Sequence, residues 1–399
     1  MPLATIPEAM ADLEDGKFII IIDDEDRENE GDLCVAAQMV TPEQITFMSR
    51  HAGGLICTPM LAARLDDLEI EPMVNHNTSR YGTAFSVSVE AKDLVTTGIS
   101  AFDRMATIRH LVNPDARPRD FAKPGHTFPL RAADGGVLKR AGQTEASVDL
   151  ARLAGLYPAA VICEVMNDDG TMARLPDLER FSAAHDIKIV TIKDLIAYRR
   201  RNEKLVECRV VTPDIPIGER SWTAYAYADL VTHDVHLAMV LGTIDPDRPT
   251  LVRAHSCCLT GDVFGSMRCD CGPQLHAAME RIAEEGCGVV LYLGNHEGRG
   301  IGLIGKLRAY NLQNQGMDTV EANEALDQPA DSRDYGTGHQ ILYDLGVRQI
   351  RVMTNNPRKL IGIEGYGLRV VEQVPIKIAP NPFNERYLQT KKDKLGHNL

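Results

Sequence analysis

The 399-residue chain contains no C-x-x-C pair. That weakens the case for the common structural zinc arrangement, which uses four protein ligands, often two such pairs. No apolar run approaches the ~18 residues that span a bilayer, so no membrane segment is expected. The opening Met1-Pro2-Leu3-Ala4-Thr5-Ile6-Pro7 lacks a basic segment followed by an apolar one, so a secretory signal is not expected and the default compartment is cytoplasmic. Positive charge is in deficit, with a formal net charge of −13. This disfavours loose binding to nucleic acid or anionic membrane, and phosphate-bearing substrates must be held by local basic groups. The nine cysteines are odd in number and unevenly spread, which does not read as a disulfide framework.

The length suits two or three domains, each with its own core. The cysteines cluster, with four of the nine inside residues 257–271. Cys258, Cys269 and Cys271 sit close enough in sequence to share one metal. Cys269 and Cys271 flank Asp270, and Gly261 and Gly265 let the chain loop back to Cys258. Three protein ligands leave a tetrahedral zinc one position for water, whose pKa falls to about 7, so an open site suggests hydrolysis. Cys257 is a fourth candidate, but adjacent side chains tend to diverge. Spacing alone leaves catalytic zinc, structural zinc and unliganded thiols open.

In the first half, Phe18–Ile22 is a short β-branched run, expected to be a buried strand. Residues 23–32 then hold seven acids and one arginine before the apolar pattern resumes at Leu33. An acidic run is usually a solvated loop. A loop at a strand end is also where α/β proteins place ligands, and carboxylates there suit Mg²⁺. Thr41-Pro42 opens a helix, residues 84–90 read as a half-buried strand, and Ser100 with Asp103 caps a helix to about Leu111. Pro124-Gly125-His126 reads as a turn presenting a histidine. Residues 140–144 are another turn before a helix, and the strand 159–165 places Glu164 near its end. Thr191 caps a last helix. Residues 201–207 are charged and unpatterned, so the domain boundary is placed there, giving 1–201 and 207–399.

In the second half, residues 208–211 and 238–241 read as strands, and a helix starts at Pro273 with Leu275, Ala278, Met279 and Ile282 on one face and Gly286 as its stop. The apolar run 288–293 is a buried strand delivering His296-Glu297-Gly298-Arg299-Gly300. Glycines beside an arginine at a strand end let backbone N–H groups approach a phosphate. The Lys391-Lys392-Asp393-Lys394 tail reads as a solvated terminus.

The 253–274 stretch, Glu297-Gly298-Arg299-Gly300-Ile301-Gly302-Leu303, residues 318–323 and Thr354-Asn355-Asn356-Pro357 together resemble GTP cyclohydrolase II. Asp26-Arg27-Glu28-Asn29-Glu30-Gly31-Asp32 and the first half around it resemble 3,4-dihydroxy-2-butanone 4-phosphate synthase. The resemblance covers nearly the full length and implies an α/β (α+β) fold of two globular domains, each a mixed sheet covered by helices. It implies a homodimer.

For the second half it implies zinc on Cys258, Cys269 and Cys271, and GTP contacts from Arg253, Ala254, His255, Ser256, Cys257, Gln274, Glu297, Gly298, Arg299, Thr319, Thr354 and Lys359. Asp331 matches a proton acceptor, Arg333 a nucleophile and Tyr310 a residue tied to opening of the imidazole ring. A guanidinium stays protonated, so a catalytic Arg333 is easier to accept than a covalent one. For the first half the resemblance implies ribulose 5-phosphate as substrate, Mg²⁺ (or Mn²⁺) on Glu28, substrate contacts from Arg27, Asp32, Arg140 and Thr144, and catalysis by His126 and Glu164.

Three positions depart from these patterns. Gln143 stands where a metal-binding histidine is expected, Cys257 where glutamate is usual, and Gly294 where arginine is usual. A neutral amide can coordinate Mg²⁺ but cannot act as an acid or base, so the first half is expected to be weak or inactive, persisting as a folding and dimer-forming partner. One alternative is that both halves are active. Another is a zinc-stabilised scaffold without catalysis.

Overall fold

In a computed structural model that describes residues 3–328, 331, 333, 335–356 and 363–395, the chain divides into two compact units, Met1–Asn202 and Glu203–Leu399. Each is a seven-stranded mixed sheet covered by helices, the fold class expected.

The first sheet contains β1 (Ile19–Ile22), β2 (Gly31–Ala36), β3 (Cys57–Leu61), β4 (Val89–Ala91), β5 (Phe121–Ala132), β6 (Ala160–Glu164) and β7 (Lys188–Thr191), in the order β4-β5-β3-β6-β2-β1-β7. Successive strand side chains point to opposite faces, and β1 feeds both cores. Ile20 and Ile22 join one apolar cluster, Ile19 and Ile21 the other. Being flanked by β2 and β7 and covered on both faces explains why four consecutive isoleucines are tolerated. β2 runs antiparallel to both β1 and β6, with Asp32 opposite Glu164. The acidic loop leaving β1, the start of β2 and the end of β6 therefore share one sheet edge.

The second sheet contains β8 (Val206–Ile217), β9 (Arg220–Asp229), β10 (Val235–Leu241), β11 (Pro249–Ser256), β12 (Gly288–Leu293), β13 (Gln349–Met353) and β14 (Arg369–Val374), in the order β14-β13-β11-β12-β10-β9-β8. β8, β9, β10 and β12 pair antiparallel, whereas β12, β11, β13 and β14 pair parallel. The parallel strands β11, β12 and β13 end on the same edge, at Ser256, Leu293 and Met353. Ligands in open α/β sheets bind outside such carboxyl ends. Val252, Val289 and Leu291 pack on one face, Leu251, Val290 and Met353 on the other.

Several expectations are corrected. Residues 84–90 are not one strand: β4 covers only Val89–Ala91, and Phe85 and Ser86 make isolated bridges. Pro124-Gly125-His126 falls within the bounds of β5 rather than between elements, but at an irregularity: the pairing with β4 passes from Ala122 to Thr127 and leaves residues 123–126 out. Gln143 and Thr144 belong to the first turn of the helix Gln143–Leu153 rather than to the turn before it. The lysine-rich tail is a helix, Glu385–Leu395, with Lys391 buried. β9, with its buried Trp222, was not anticipated.

Candidate functional site

At the parallel edge of the second sheet, β11 delivers Ser256-Cys257-Cys258 into the short helix Leu259–Asp262, and Cys271 opens the helix Cys271–Glu285. These turns bring the thiols of Cys258, Cys269 and Cys271 within 4.8 Å of one another, the one group of three metal-ligating side chains among the described residues. Gly261 makes the cradle possible: a Cβ there would lie 2.8 Å from Cys269 Sγ and 3.0 Å from Cys258 Sγ. Hydrogen bonding from Cys269 and Cys271 pulls the Cys258 thiol far below its ordinary range, while the Cys258 partnership pushes Cys269 up to about 11 and Cys271 well above a free thiol. A buried three-sulfur set of this shape suits a thiophilic cation such as zinc.

The surroundings brace this set. Asp262 accepts from the Cys258 backbone N–H at 2.9 Å, from Tyr292 Oη at 2.9 Å and from His255 Nε2 at 3.1 Å. His255 was expected to contact nucleotide, but its ring is committed to Asp262 and stacked on Tyr292. Lys306 donates to Cys258 Sγ at 3.2 Å and to Glu297 Oε1 at 2.6 Å, and Glu297 Oε2 accepts from the Leu259 N–H at 2.7 Å. Cys257 does not join the sulfur cluster. Its thiol points to the Gly294 carbonyl at 3.3 Å, and burial, then the charge of Glu297, push it up to about 12. Its direction, toward Gly294 rather than toward the other three sulfurs, leaves it outside the metal-ligating group.

A cleft of about 1070 Å³, counting its open mouth, runs from the thiols along the strand ends. Among the described residues, Arg253, Arg268, Arg299, Lys306, Arg333 and Lys391 line it, with Glu297 as the one lining carboxylate. Six cations gather here in a chain of net charge −13; Lys306, Arg333 and Lys391 are paired with carboxylates, and the cleft still offers several guanidinium and ammonium groups to an anionic ligand. Gly298 and Arg299 both adopt left-handed backbone (φ 59° and 64°). Such a conformation costs a non-glycine residue about 1–3 kcal/mol and tends to cluster at functional sites.

Of the residues expected here, Arg253, His255, Ser256, Cys257, Gln274, Glu297, Gly298, Arg299, Tyr310, Thr319, Arg333 and Thr354 line the cleft. Ala254 does not. Strand alternation turns it to the opposite face, where it lines a small apolar cavity with Val252 and Leu293. Asp331 stands behind Arg333, accepting from its Nε at 2.8 Å. Burial would raise the Asp331 carboxyl, but the Arg333 hydrogen bonds and charge win and hold it below the usual range. Burial works against the Arg333 charge, yet Asp331 keeps it more firmly protonated than usual, which disfavours a nucleophilic guanidinium. Lys359 lies outside the described residues.

Residues that the sequence reading missed include His296, Lys306, Tyr387 and Lys391. Lys306 stands one turn before Tyr310 on the helix Gly302–Asn314, a spacing that could have flagged it. His296 Nδ1 meets Ser256 Oγ at 3.1 Å, and Arg333 Nη1 reaches the same hydroxyl at 3.3 Å.

In the first unit a smaller cleft gathers Arg27, Glu28, Asp32, Arg140, Gln143, Thr144 and Glu164. Arg27 Nη1 donates to Gln143 Oε1 at 2.9 Å and to Asp23 Oδ2 at 2.7 Å. Burial, then repulsion from Glu164, raises the Asp32 carboxyl well above its ordinary value. Burial also raises Glu164 and Glu30, with Glu28 adding repulsion to both. A divalent cation would relieve such crowding, and hard carboxylate oxygens suit Mg²⁺. His126 is not among the residues lining this cleft. It pairs with Glu90 at 2.8 Å on β5.

Comparison with known proteins follows the same division. A family model described as 3,4-dihydroxy-2-butanone 4-phosphate synthase matches residues 7–198, and one described as GTP cyclohydrolase II matches residues 207–375. The chain is 58% identical over 395 residues to the riboflavin biosynthesis protein RibBA of Aquifex aeolicus (strain VF5), covering 98% of this chain and 97% of that one. It is 53% identical over 399 residues to the protein of the same name from Phocaeicola vulgatus, covering 100% and 98%. Among solved structures it is similar to RibBX, a two domain 3,4-dihydroxy-2-butanone 4-phosphate synthase from A. baumannii. That match has a TM-score of 0.68 at 38% identity and covers 93% of this chain and 99% of that one.

Proposed function

The chain belongs to the riboflavin biosynthesis proteins that join a 3,4-dihydroxy-2-butanone 4-phosphate synthase unit to a GTP cyclohydrolase II unit, and from that premise we propose that its second unit hydrolyses GTP. The products are 2,5-diamino-6-ribosylamino-4(3H)-pyrimidinone 5′-phosphate, formate and pyrophosphate. The observation that carries this reading is the convergence of three thiols on a cleft walled by six cations.

Cys258, Cys269 and Cys271 would hold zinc, which supplies an activated water at neutral pH when a coordination position is open. Arg299, with Lys359, would balance the triphosphate charge, and a Mg²⁺ brought with the nucleotide would supply further charge neutralisation. Gln274, oriented by Arg253 and Asp270 at 2.7 Å each, presents a fixed amide to the nucleotide. Thr319, Thr354, Ser256 and Glu297 complete the contacts. Asp331 holds Arg333 charged at the cleft wall, and in this reading Arg333 acts by stabilising the charge that develops at the α-phosphate. Tyr310, whose hydroxyl meets Thr260 Oγ1 at 3.3 Å, lines the same cleft, and in this reading its phenol delivers a proton as the imidazole ring opens.

A specific observation favours a second activity. The first unit keeps Arg27, Glu28, Asp32, Arg140, Thr144 and Glu164 in one cleft, with Gln143 occupying it through Arg27. The match of both family models, with the full-length likeness to riboflavin biosynthesis proteins, supports a bifunctional enzyme at least as well as one impaired at Gln143. On this reading Mg²⁺ (or Mn²⁺) binds at Glu28, and ribulose 5-phosphate gives 3,4-dihydroxy-2-butanone 4-phosphate and formate. No described helix is long and apolar enough to cross a membrane. A cytoplasmic location and a homodimer are part of the proposal.

The test is release of formate from each substrate by the intact chain. One formate and one pyrophosphate per GTP are expected. Tightly held zinc without formate from GTP would point to a scaffold instead.

A further inference from the structure

The helix Glu385–Leu395 lies beyond the region matched by the GTP cyclohydrolase II model, which ends at residue 375. It nevertheless reaches the cleft: Tyr387 and Lys391, one turn apart, both line it. Lys391 is only 8% exposed. Its ammonium donates to Asp270 Oδ1 at 2.6 Å and sits 4.6 Å from the centroid of the Tyr387 ring. Asp270 is 1% exposed and lies between Cys269 and Cys271. Its other oxygen accepts from Gln274 Nε2 at 2.7 Å. Gln274 Oε1 accepts from Arg253 Nη2 at 2.7 Å, and Arg253 Nη1 donates to the Met353 carbonyl at 2.9 Å. An unbroken polar chain thus links the tail helix, the two-sulfur arm and the ends of β11 and β13.

We propose that this helix is a wall of the metal and nucleotide site, and that Lys391 is a positioning residue that fixes the Cys269-Asp270-Cys271 arm through Asp270. A carboxylate buried this deeply is tolerable only when paired and hydrogen-bonded. Lys391 supplies the charge and Gln274 the second hydrogen bond. With both oxygens of Asp270 held, the backbone carrying the flanking sulfurs cannot swing, and both thiols keep their aim at Cys258. Partners one step behind metal ligands commonly set affinity in this way. Because the cation arrives on the tail helix, docking of that helix and the shape of the sulfur site form one equilibrium. Metal binding and helix docking must then favour each other equally. The inference rests on the proposed GTP reading only for its catalytic consequence.

The experiment compares the full chain with Lys391→Met, Lys391→Arg, Asp270→Asn and the double variant Asp270→Asn/Lys391→Met. Three quantities are read: the rate at which a competing chelator removes zinc, amide hydrogen exchange across 385–395 with and without zinc, and kcat and KM for GTP. Lys391→Met is expected to speed zinc loss by roughly 10-fold or more and to expose the helix amides. Lys391→Arg, which keeps the charge, should rescue most of this. In the Asp270→Asn background the Lys391→Met change should have little further effect, and zinc removal from the parent chain should itself raise exchange in the helix. The proposal is overturned if Lys391→Met frees the helix but leaves zinc retention unchanged, or if the two single effects simply add. If the zinc-loaded parent yields no formate from GTP, the GTP reading fails, while the zinc and exchange measurements still decide the role of Lys391.

Discussion

The Cys257 thiol donates a hydrogen bond to the Gly294 carbonyl at 3.3 Å, so the two positions at which the second unit departs from the GTP cyclohydrolase II pattern touch each other. The resemblance leads one to expect a glutamate and an arginine at these places, and neither charge is present here. A Cβ on Gly294 would lie 2.4 Å from the Val235 carbonyl oxygen, so an arginine there also needs a backbone shift.

The prediction is non-additivity. Cys257→Glu alone sets a new carboxylate beside Glu297 Oε2, now 3.9 Å from the thiol, and should lower kcat/KM for GTP by about 10-fold, the scale of 1.4 kcal/mol of repulsion. Adding Gly294→Arg should recover part of the loss. Steady-state kinetics on both singles and the double decide it. Losses that add, or no loss from Cys257→Glu, would show that the pair is not coupled.

Lys306 joins the sulfur cluster to Glu297. Lys306→Met removes the cation from a buried carboxylate, a change that commonly costs about 3–5 kcal/mol. The second unit should unfold at lower denaturant, and GTP turnover should fall by at least ~100-fold because Glu297 loses its orientation. Unchanged unfolding would show that the 2.6 Å contact contributes nothing to stability.

Gly261→Ala puts a methyl against two of the three sulfurs, at 2.8 and 3.0 Å. Zinc affinity should drop by roughly 10–100-fold, as for disturbed partners of metal ligands, while the first unit's melting is unaffected. Competition with a chromophoric chelator measures this directly.

His236 supplies a pH dependence. Burial holds its imidazole below the ordinary value, against the pull of Asp229 and Asp234, and its Nδ1 accepts from the Gly294 N–H at 3.2 Å. The unfolded chain takes up this proton near pH 6.5, the folded chain only at lower pH. Between those values the unfolded state holds more protons, so stability falls as pH drops below about 6.5 and is fully present above it. Denaturant unfolding at successive pH values should show this slope, and His236→Gln should flatten it. An equal slope in the variant would remove His236 from the account.

Much of the site was legible because its signals are local. β12 begins and ends where the apolar run 288–293 does, and Gly286 stops its helix in left-handed geometry (φ 79°). The three cysteines were found from spacing alone. What escaped depends on partners distant in sequence. Lys391 reads as one more lysine in a polar tail until Asp270, 121 residues earlier, is seen beside it. Lys306 and His296 are likewise defined by what they face. β9 carried the alternation of a strand, but its small and polar residues around Trp222 gave a weak apolar signal. Pro124-Gly125-His126 was read as a separate turn, whereas it is a bulge inside the long strand β5, where the register with β4 passes from Ala122 to Thr127 and leaves residues 123–126 out.

The most direct measurement is formate release from GTP as a function of bound zinc. The chain is stripped of metal, reloaded in steps, and assayed with Mg²⁺ present throughout. Formate release should rise in proportion to zinc, saturate at one ion per chain, and stay absent in Cys271→Ser. A zinc-loaded chain that releases no formate from GTP, or a stripped chain that releases it undiminished, would contradict the account.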